Sequence, residues 1–179
     1  IEVLTLYSFS TENWRRPQTE VSFLMGLLKH FVEKDLAELN EAGVRVRIIG
    51  GRDDLAPDLR RLVEHAEAST RGNTGMTLVV AFNYGSKAEL TEATRAIARA
   101  VARGELDPES ITEETIAASL YTTGLPDPDL IVRTSGEQRI SNFLLWQAAY
   151  AELVFVDEYW PDFNEATFLR VLETYTLRD

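Results

Sequence analysis

Two stretches of the chain gather guanidinium, hydroxyl and carboxamide groups closely enough to hold phosphate. The first is Ser10-Thr11-Glu12-Asn13-Trp14-Arg15-Arg16-Pro17. Arginine grips a phosphate through a planar two-pronged fork, and hydroxyl and backbone N–H groups can add to that grip. The same residues would also suit a solvated loop with a capping hydroxyl and a tryptophan anchor. The second stretch runs from Asp129 to Asn142, with Arg133 at the end of an apolar run, then Gly136, Glu137, Arg139, Ile140 and Ser141. Two arginines and a serine on one looping segment could hold a diphosphate. They could equally be neutralised by Asp129 and Glu137 as surface ion pairs. Glu152 stands where an apolar turn meets a short strand. It is either partnered by an arginine or a hard-oxygen ligand for Mg²⁺, and on the residues alone the ion pair is favoured.

Other chemistries find little support. Neither stretch is a nucleotide-binding glycine loop of the Walker or dinucleotide type. His30 and His65 share no metal-ligand spacing, and the chain has no cysteine, which excludes disulfides and thiolate metal sites. No Ser-His-Asp or Cys-His arrangement stands out. The net charge of −11 argues against a nucleic-acid partner, whose footprint is normally basic. It does not forbid a local anion site, because net charge governs long-range steering and solubility. No apolar run reaches the roughly 20 residues that span a bilayer. With 179 residues the chain suits one domain, and the absence of cysteine fits a reducing cytoplasm.

The elements that would position these groups follow from periodicity. Ile1–Ser8 is apolar and β-branched, as buried strands are. Val21, Leu24, Leu28, Phe31, Val32, Leu36 and Leu39 recur every three or four residues, which predicts an amphipathic helix over Glu20–Ala42 closed by Gly43. Strands are predicted at Val44–Ile49, Met76–Phe82, Asp129–Arg133 and Leu153–Val156, and helices at Asp58–Ser69, Lys87–Arg103 and Thr112–Leu120. Asn83–Ser86 reads as a tight turn and Leu144–Ala148 as a short helical turn, while Asp162–Glu165 has capping-box spacing before a last helix, Glu165–Thr176. Strands alternating with helices imply an α/β fold, a mostly parallel central sheet flanked by helices. Ligands of such sheets bind beyond the carboxyl ends of the strands. The polar segments Ser10–Arg16, Asn83–Ser86 and Thr134–Ser141 each follow a predicted strand, so they are expected to share one edge.

Four segments in register resemble the cis-prenyltransferases, the undecaprenyl-diphosphate-synthase family. Leu4–Pro17 (LTLYSFSTENWRRP) is similar to the family's F-S-x-E-N-W-x-R-P loop, and Leu130–Glu152 (LIVRTSGEQRISNFLLWQAAYAE) to its R-T-S/G-G-E-x-R-x-S-N-F-L-L-W-Q-x-A-Y-x-E signature. Asn83-Tyr84-Gly85 and Trp160-Pro161-Asp162-Phe163 are the third and fourth. The resemblance implies Mg²⁺-dependent condensation of isopentenyl diphosphate with an allylic diphosphate, such as farnesyl or geranyl diphosphate, releasing pyrophosphate. It implies that Arg133, Arg139, Ile140 and Ser141 hold isopentenyl diphosphate and that Glu152 is the Mg²⁺ carboxylate. Asn13 is implied in the proton loss that ends each condensation. Phe9, Ser10, Thr11, Glu12, Trp14 and Arg16 are implied as substrate contacts. A homodimer, a cytoplasmic location and at most peripheral membrane association go with it.

The sequence departs from that pattern in places. The family's strand bearing Asp-Gly-Asn-x-Arg-Trp, with its Mg²⁺ aspartate, has no counterpart here, nor has the helix after it. Residue 1 is not methionine and already lies in a predicted buried strand, so a preceding segment is expected. Gln138 stands where some relatives have histidine. Two rival readings share the fold: an irregular synthase joining two allylic diphosphates, and a non-catalytic partner subunit. A generic phosphate-binding α/β domain is a third.

Overall fold

The strand Thr77–Tyr84 explains the first half of the chain. It is apolar on both faces, as a strand flanked by two parallel neighbours must be, and Val79, Ala81, Phe82 and Tyr84 are all buried. A computed structural model describes residues 1–53 and 55–177; of Phe31 only the backbone is described, so its side chain, expected on the apolar face of its helix, lies outside the described residues. Two compact units result, Ile1–Leu125 and Pro126–Asp179.

In the first unit β1 (Val3–Ser10), α1 (Gln18–Glu41), β2 (Arg45–Ile49), α2 (Pro57–Thr70), β3 (Thr77–Tyr84), α3 (Ser86–Ala102) and α4 (Glu113–Ala118) follow in order. The strands form a parallel sheet of order β1-β3-β2. Phe9, Val21, Leu55, Leu59 and Phe82 form its core, with Leu24, Met25, Leu28, Ile48, Leu62 and Val80 packed against them. Among the described side chains of the predicted α1 stripe only Val21 is fully buried, with Leu24 and Leu28 packed against the core. Gly43 has φ +71 and follows the helix as expected, with Val44 N–H donating back to Leu39 O at 2.9 Å.

β2 lies at the edge of its sheet, where unpaired N–H groups are a liability. Two side chains of α2 close it. Val46 N–H donates to Thr70 Oγ1 and Ile48 N–H to Glu67 Oε1, each at 2.9 Å. At its carboxyl end the chain turns through Gly50, whose φ of +132 is open to glycine alone, and a Cβ there would stand 1.9 Å from Phe82 O. Gly50→Ala should therefore destabilise the fold by about 3 kcal/mol, summing left-handed strain and overpacking. The check is urea unfolding, where the midpoint should fall with an unchanged slope.

In the second unit β4 (Leu130–Arg133) and β5 (Glu152–Phe155) pair in parallel, and α5 (Glu165–Thr176) follows. Val154, Val156 and Val171 are its core, joined by Leu130, Val132 and Phe163. Every expected element is present, with corrections at the ends. β1 runs on to Ser10 and β3 to Tyr84, so Asn83-Tyr84 belongs to a strand and not to a turn, because Tyr84 pairs with Ser10 of β1 and the Asn83 carbonyl accepts from Gly51 N–H. The cap of α5 is Asn164, whose Oδ1 accepts from Thr167 N–H at 3.1 Å, while Asp162 sits in a preceding 3₁₀ turn. The helical turn expected at Leu144–Ala148 is a 3₁₀ turn at Gln147–Tyr150. The strands form a three-stranded and a two-stranded sheet, both parallel, where a single sheet was expected. Among the described residues no helix is long and apolar enough to cross a membrane.

Candidate functional site

The first group of candidate residues is built on the carboxyl end of β1. Polar residues with no helical period leave the strand at Ser10, and Thr11–Arg15 makes one 3₁₀ turn that Pro17 stops from continuing. Asn13 is the hinge pin of that turn. Its Oδ1 accepts from Ser10 N–H at 2.8 Å, and its carbonyl accepts from Arg16 N–H at 3.0 Å. Because the partner is a backbone donor, the atom facing it must be the oxygen. The amide NH₂ is then the part of Asn13 left to offer a ligand. Phe9 is 3% exposed and lies within the core beneath the turn. It meets the Trp14 ring edge-on, with centroids 5.0 Å apart. The Trp14 indole N–H donates to Asn83 Oδ1 at 2.7 Å. Thr11 Oγ1 donates to Glu12, and Arg16, itself exposed, is ion-paired with Glu20.

The second group is built on the carboxyl end of β4. Val156 N–H donates to Arg133 O, Gly136 N–H to Val156 O, each at 2.9 Å, and Ser135 N–H to Glu158 O at 2.8 Å. These bonds fold the Thr134–Ser141 loop back on β5. The backbone of this loop and of the residues just after it is unusual: Ser135, Gly136, Ser141, Asn142 and Leu144 all have φ between +48 and +71. Such residues cost about 1 kcal/mol or more each outside glycine, and strain of that kind is characteristic of functional segments. Arg133 Nε is buried and has no hydrogen-bond partner among the described residues. A guanidinium N–H withdrawn from water and left unmatched is a grip waiting for an anion. Arg139, by contrast, is exposed and ion-paired with Glu137, so half of the surface-pair alternative is realised.

Glu152 opens β5, opposite Leu130, whereas Arg133 closes β4 opposite Phe155. The two therefore stand three residues apart along the ladder, about 10 Å by strand rise, and on alternate faces. The unit thus separates the loop carrying Arg133, Arg139, Ile140 and Ser141 from the carboxylate. Among the described residues no three His, Asp or Glu side chains cluster to hold a metal. A half-buried carboxylate suits the way Mg²⁺ is usually bound, by one or two carboxylates with water and substrate phosphate. The donor chemistry of Glu152 fits that ion.

Glu158 buttresses the loop through its carbonyl, and its carboxylate accepts from Arg170 and Thr167 of α5. The Arg170 hydrogen bond holds the Glu158 carboxyl below its ordinary value of 4.5. A depressed carboxyl stabilises the fold above its ordinary pKa and loses that contribution as pH falls through the folded value. Arg170→Met should thus melt slightly earlier than the parent at pH 7. The gap should close below pH 4.5, where the parent loses the same contact. Melting curves at pH 7 and pH 3 check this.

Two further residues carry weight. Asn83 is visible in the sequence only within a motif, and Glu89 only as one polar residue of the predicted helix Lys87–Arg103. The signal for Glu89 was its period: with Ser86 and Ala93 it falls on the buried side of α3.

Residues 1–179 match the sequence profile of the family described as "Putative undecaprenyl diphosphate synthase". The isoprenyl transferase of Agrobacterium fabrum is 61% identical over all of this chain and 72% of its own length. That of Geobacillus kaustophilus is 52% identical over all of this chain and 70% of its own. Among solved structures, lavandulyl diphosphate synthase from Lavandula x intermedia, in complex with dimethylallyl diphosphate, superposes with a TM-score of 0.94 at 37% identity, covering 98% of this chain and 76% of that one. A probable undecaprenyl diphosphate synthase from Campylobacter jejuni superposes with a TM-score of 0.87 at 31% identity, covering 100% and 82%.

Proposed function

Since the chain belongs to the undecaprenyl diphosphate synthase family, whose chemistry is cis-prenyl chain elongation, we propose that it condenses isopentenyl diphosphate with an allylic diphosphate. The product is a Z-polyprenyl diphosphate, and pyrophosphate leaves. The observation that carries the substrate class is Arg133, with its buried and unmatched Nε at the head of a strained loop. Arg133 and Arg139 grip the diphosphate of isopentenyl diphosphate, and Ser141 and Ile140 complete its cradle. Holding that end orients the alkene for attack, and orientation alone supplies much of the rate.

The allylic diphosphate ionises as the alkene attacks, and the proton then lost from the new cation passes to the departing pyrophosphate. Negative charge builds on the departing pyrophosphate, so fixed cations and donors there lower the barrier. Mg²⁺, held by Glu152 with substrate phosphate and water, would supply Lewis-acid stabilisation of that charge. Asn13 has its oxygen committed to Ser10 N–H and offers only its NH₂. A carboxamide in that state cannot accept a proton, so Asn13 donates to a substrate oxygen and fixes its position. Ser10, Thr11, Glu12, Trp14 and Arg16 form the substrate-facing turn around it, and Phe9 is its floor.

This reading takes residues 1–179 as one catalytic domain, acting as a cytoplasmic homodimer with at most peripheral membrane association through its apolar product. Support for the dimer comes from β5, which leaves Leu153 and Phe155 exposed at 37% and 39% beside a fully exposed Tyr150. A solution mass twice that of the chain is the expected readout.

Incubation with labelled isopentenyl diphosphate, farnesyl diphosphate and Mg²⁺, with products separated by length, tests the function. A longer prenyl product is expected. Consumption of allylic diphosphate alone would instead identify an irregular synthase, the reading favoured by the likeness to the lavandulyl enzyme solved with dimethylallyl diphosphate. No turnover of either kind would point to a partner subunit.

A further inference from the structure

Asn83 occupies a position that is costly to fill. It is 7% exposed and adopts φ +49 one residue before the end of β3. The register of β1 against β3 slips at this level, where Phe9 faces Phe82 and Ser10 faces Tyr84, so Asn83 is the extra residue of a bulge. Asparagine tolerates the left-handed region better than most side chains. Its carboxamide is then spent in two directions. Oδ1 accepts from the Trp14 indole at 2.7 Å, and Nδ2 donates to Gly51 O at 2.8 Å. Its own carbonyl accepts from Gly51 N–H at 3.1 Å. The carboxyl ends of β1, β3 and β2 are thus joined through one residue. The chain at Gly50-Gly51 comes so near that a Cβ on Gly51 would lie 3.3 Å from Asn83 Nδ2.

Burial does not orient Trp14, which is 40% exposed. Its directional tie is the bond to Asn83, reinforced by the edge-on contact with Phe9. Trp14 and Asn13 are neighbours in the same 3₁₀ turn, so fixing the indole fixes the carboxamide. We infer that Asn83 is a positioning residue for the condensation: by holding the Trp14 indole and the Gly51 backbone together it sets the place of the Thr11–Arg15 turn, and so of Asn13 against the substrate. The kinetic part of this inference rests on the cis-elongation reading; the structural part does not.

Asn83→Gly is the informative variant. Glycine adopts φ +49 without strain and keeps the carbonyl that accepts from Gly51, so only the carboxamide is lost. In the full chain kcat for elongation should fall about 10- to 100-fold, the scale of a misplaced catalytic group. KM for isopentenyl diphosphate should stay within about twofold, since Arg133 and Arg139 are untouched. In substrate-free protein the NMR signal of the Trp14 indole N–H should move and exchange faster, and the Ser10 amide should lose protection. Trp14→Phe removes the same bond from its other side and should expose Ser10 equally, which serves if the glycine variant fails to fold. In the Trp14→Phe background, Asn83→Gly should cost no further kcat. Unchanged Ser10 protection, additive losses in the double variant, or a rise in KM with kcat intact would each overturn the inference. If the parent elongates no chain, the functional reading fails, and the indole and Ser10 signals still decide whether Asn83 fixes the turn.

Discussion

Arg133→Ala should raise the KM for isopentenyl diphosphate by about 100-fold while leaving the melting temperature nearly unchanged. The size follows from the type of bond lost. A hydrogen bond to a charged group is worth about 1.5–3 kcal/mol, and a guanidinium forks two of them onto one phosphate. About 3 kcal/mol is therefore at stake, and each 1.4 kcal/mol is tenfold in affinity. The unchanged stability follows from Arg133 Nε, which has no hydrogen-bond partner among the described residues to lose. Arg133→Lys should recover little, because an ammonium cannot reproduce the fork. Arg139→Ala should cost less than Arg133→Ala, since Arg139 is exposed and already shares its charge with Glu137. Initial-rate kinetics with isopentenyl diphosphate varied would decide it. A KM within threefold of the parent would remove Arg133 from the substrate site and, with it, the main support for this loop as the diphosphate cradle.

The contrast between Arg133 and Asn83 marks how far the sequence could be read. Arginines, a serine and a glycine on one loop are visible as residue types, and their role needs only the local turn at the end of β4. The partner of Trp14 is 69 residues away, and no local pattern announces a pairing across that distance. Element identities were legible because the signals are local: α1 lies where its apolar stripe puts it, and α2, α3 and α5 lie within a residue or two of the predicted helices. Their limits were not. Ser10 and Asn83 are poor strand residues by composition, yet both lie within strands, Ser10 through its pairing with Tyr84 and Asn83 through its bonds to Gly51, which outweigh propensity at a strand end. Strand grouping was also hidden, since a strand's sequence tells that it is buried and not which strand it lies beside. The separation of Glu152 from Arg133 has the same origin. Nineteen residues of sequence spacing give no hint that the two end on opposite ends of one ladder.

Glu89→Ala should lower the stability of the fold by about 4 kcal/mol, read as a fall in melting temperature of about 10 °C for a chain of this size. Glu89 is 1% exposed on α3. Its Oε2 accepts from Tyr84 Oη at 2.6 Å and its Oε1 from Tyr121 N–H at 2.8 Å. Removing the carboxylate leaves both donors short of a partner in a dry site, at about 1–3 kcal/mol each, and opens a cavity besides. The surroundings cannot easily collapse to fill it. Tyr84 is fully buried and pinned in β3, with its carbonyl accepting from Tyr7 Oη at 3.2 Å. Tyr121 is fixed through its own carbonyl, which accepts from Arg47 at 2.9 Å, and Arg47 also binds Thr123 O at 2.8 Å. Burial raises the Tyr121 hydroxyl above its ordinary pKa, with Glu92 and Glu89 adding to the shift, so Tyr121 is neutral at neutral pH. Tyr84→Phe removes one donor and should cost less than Glu89→Ala alone. Combined with Glu89→Ala it should cost less than the sum, because the phenylalanine no longer presents a hydroxyl that needs the lost acceptor. A melting temperature within about 2 °C of the parent for Glu89→Ala would mean that water enters and takes over both bonds, which a site this enclosed permits only if the segment carrying Tyr121 opens to admit it.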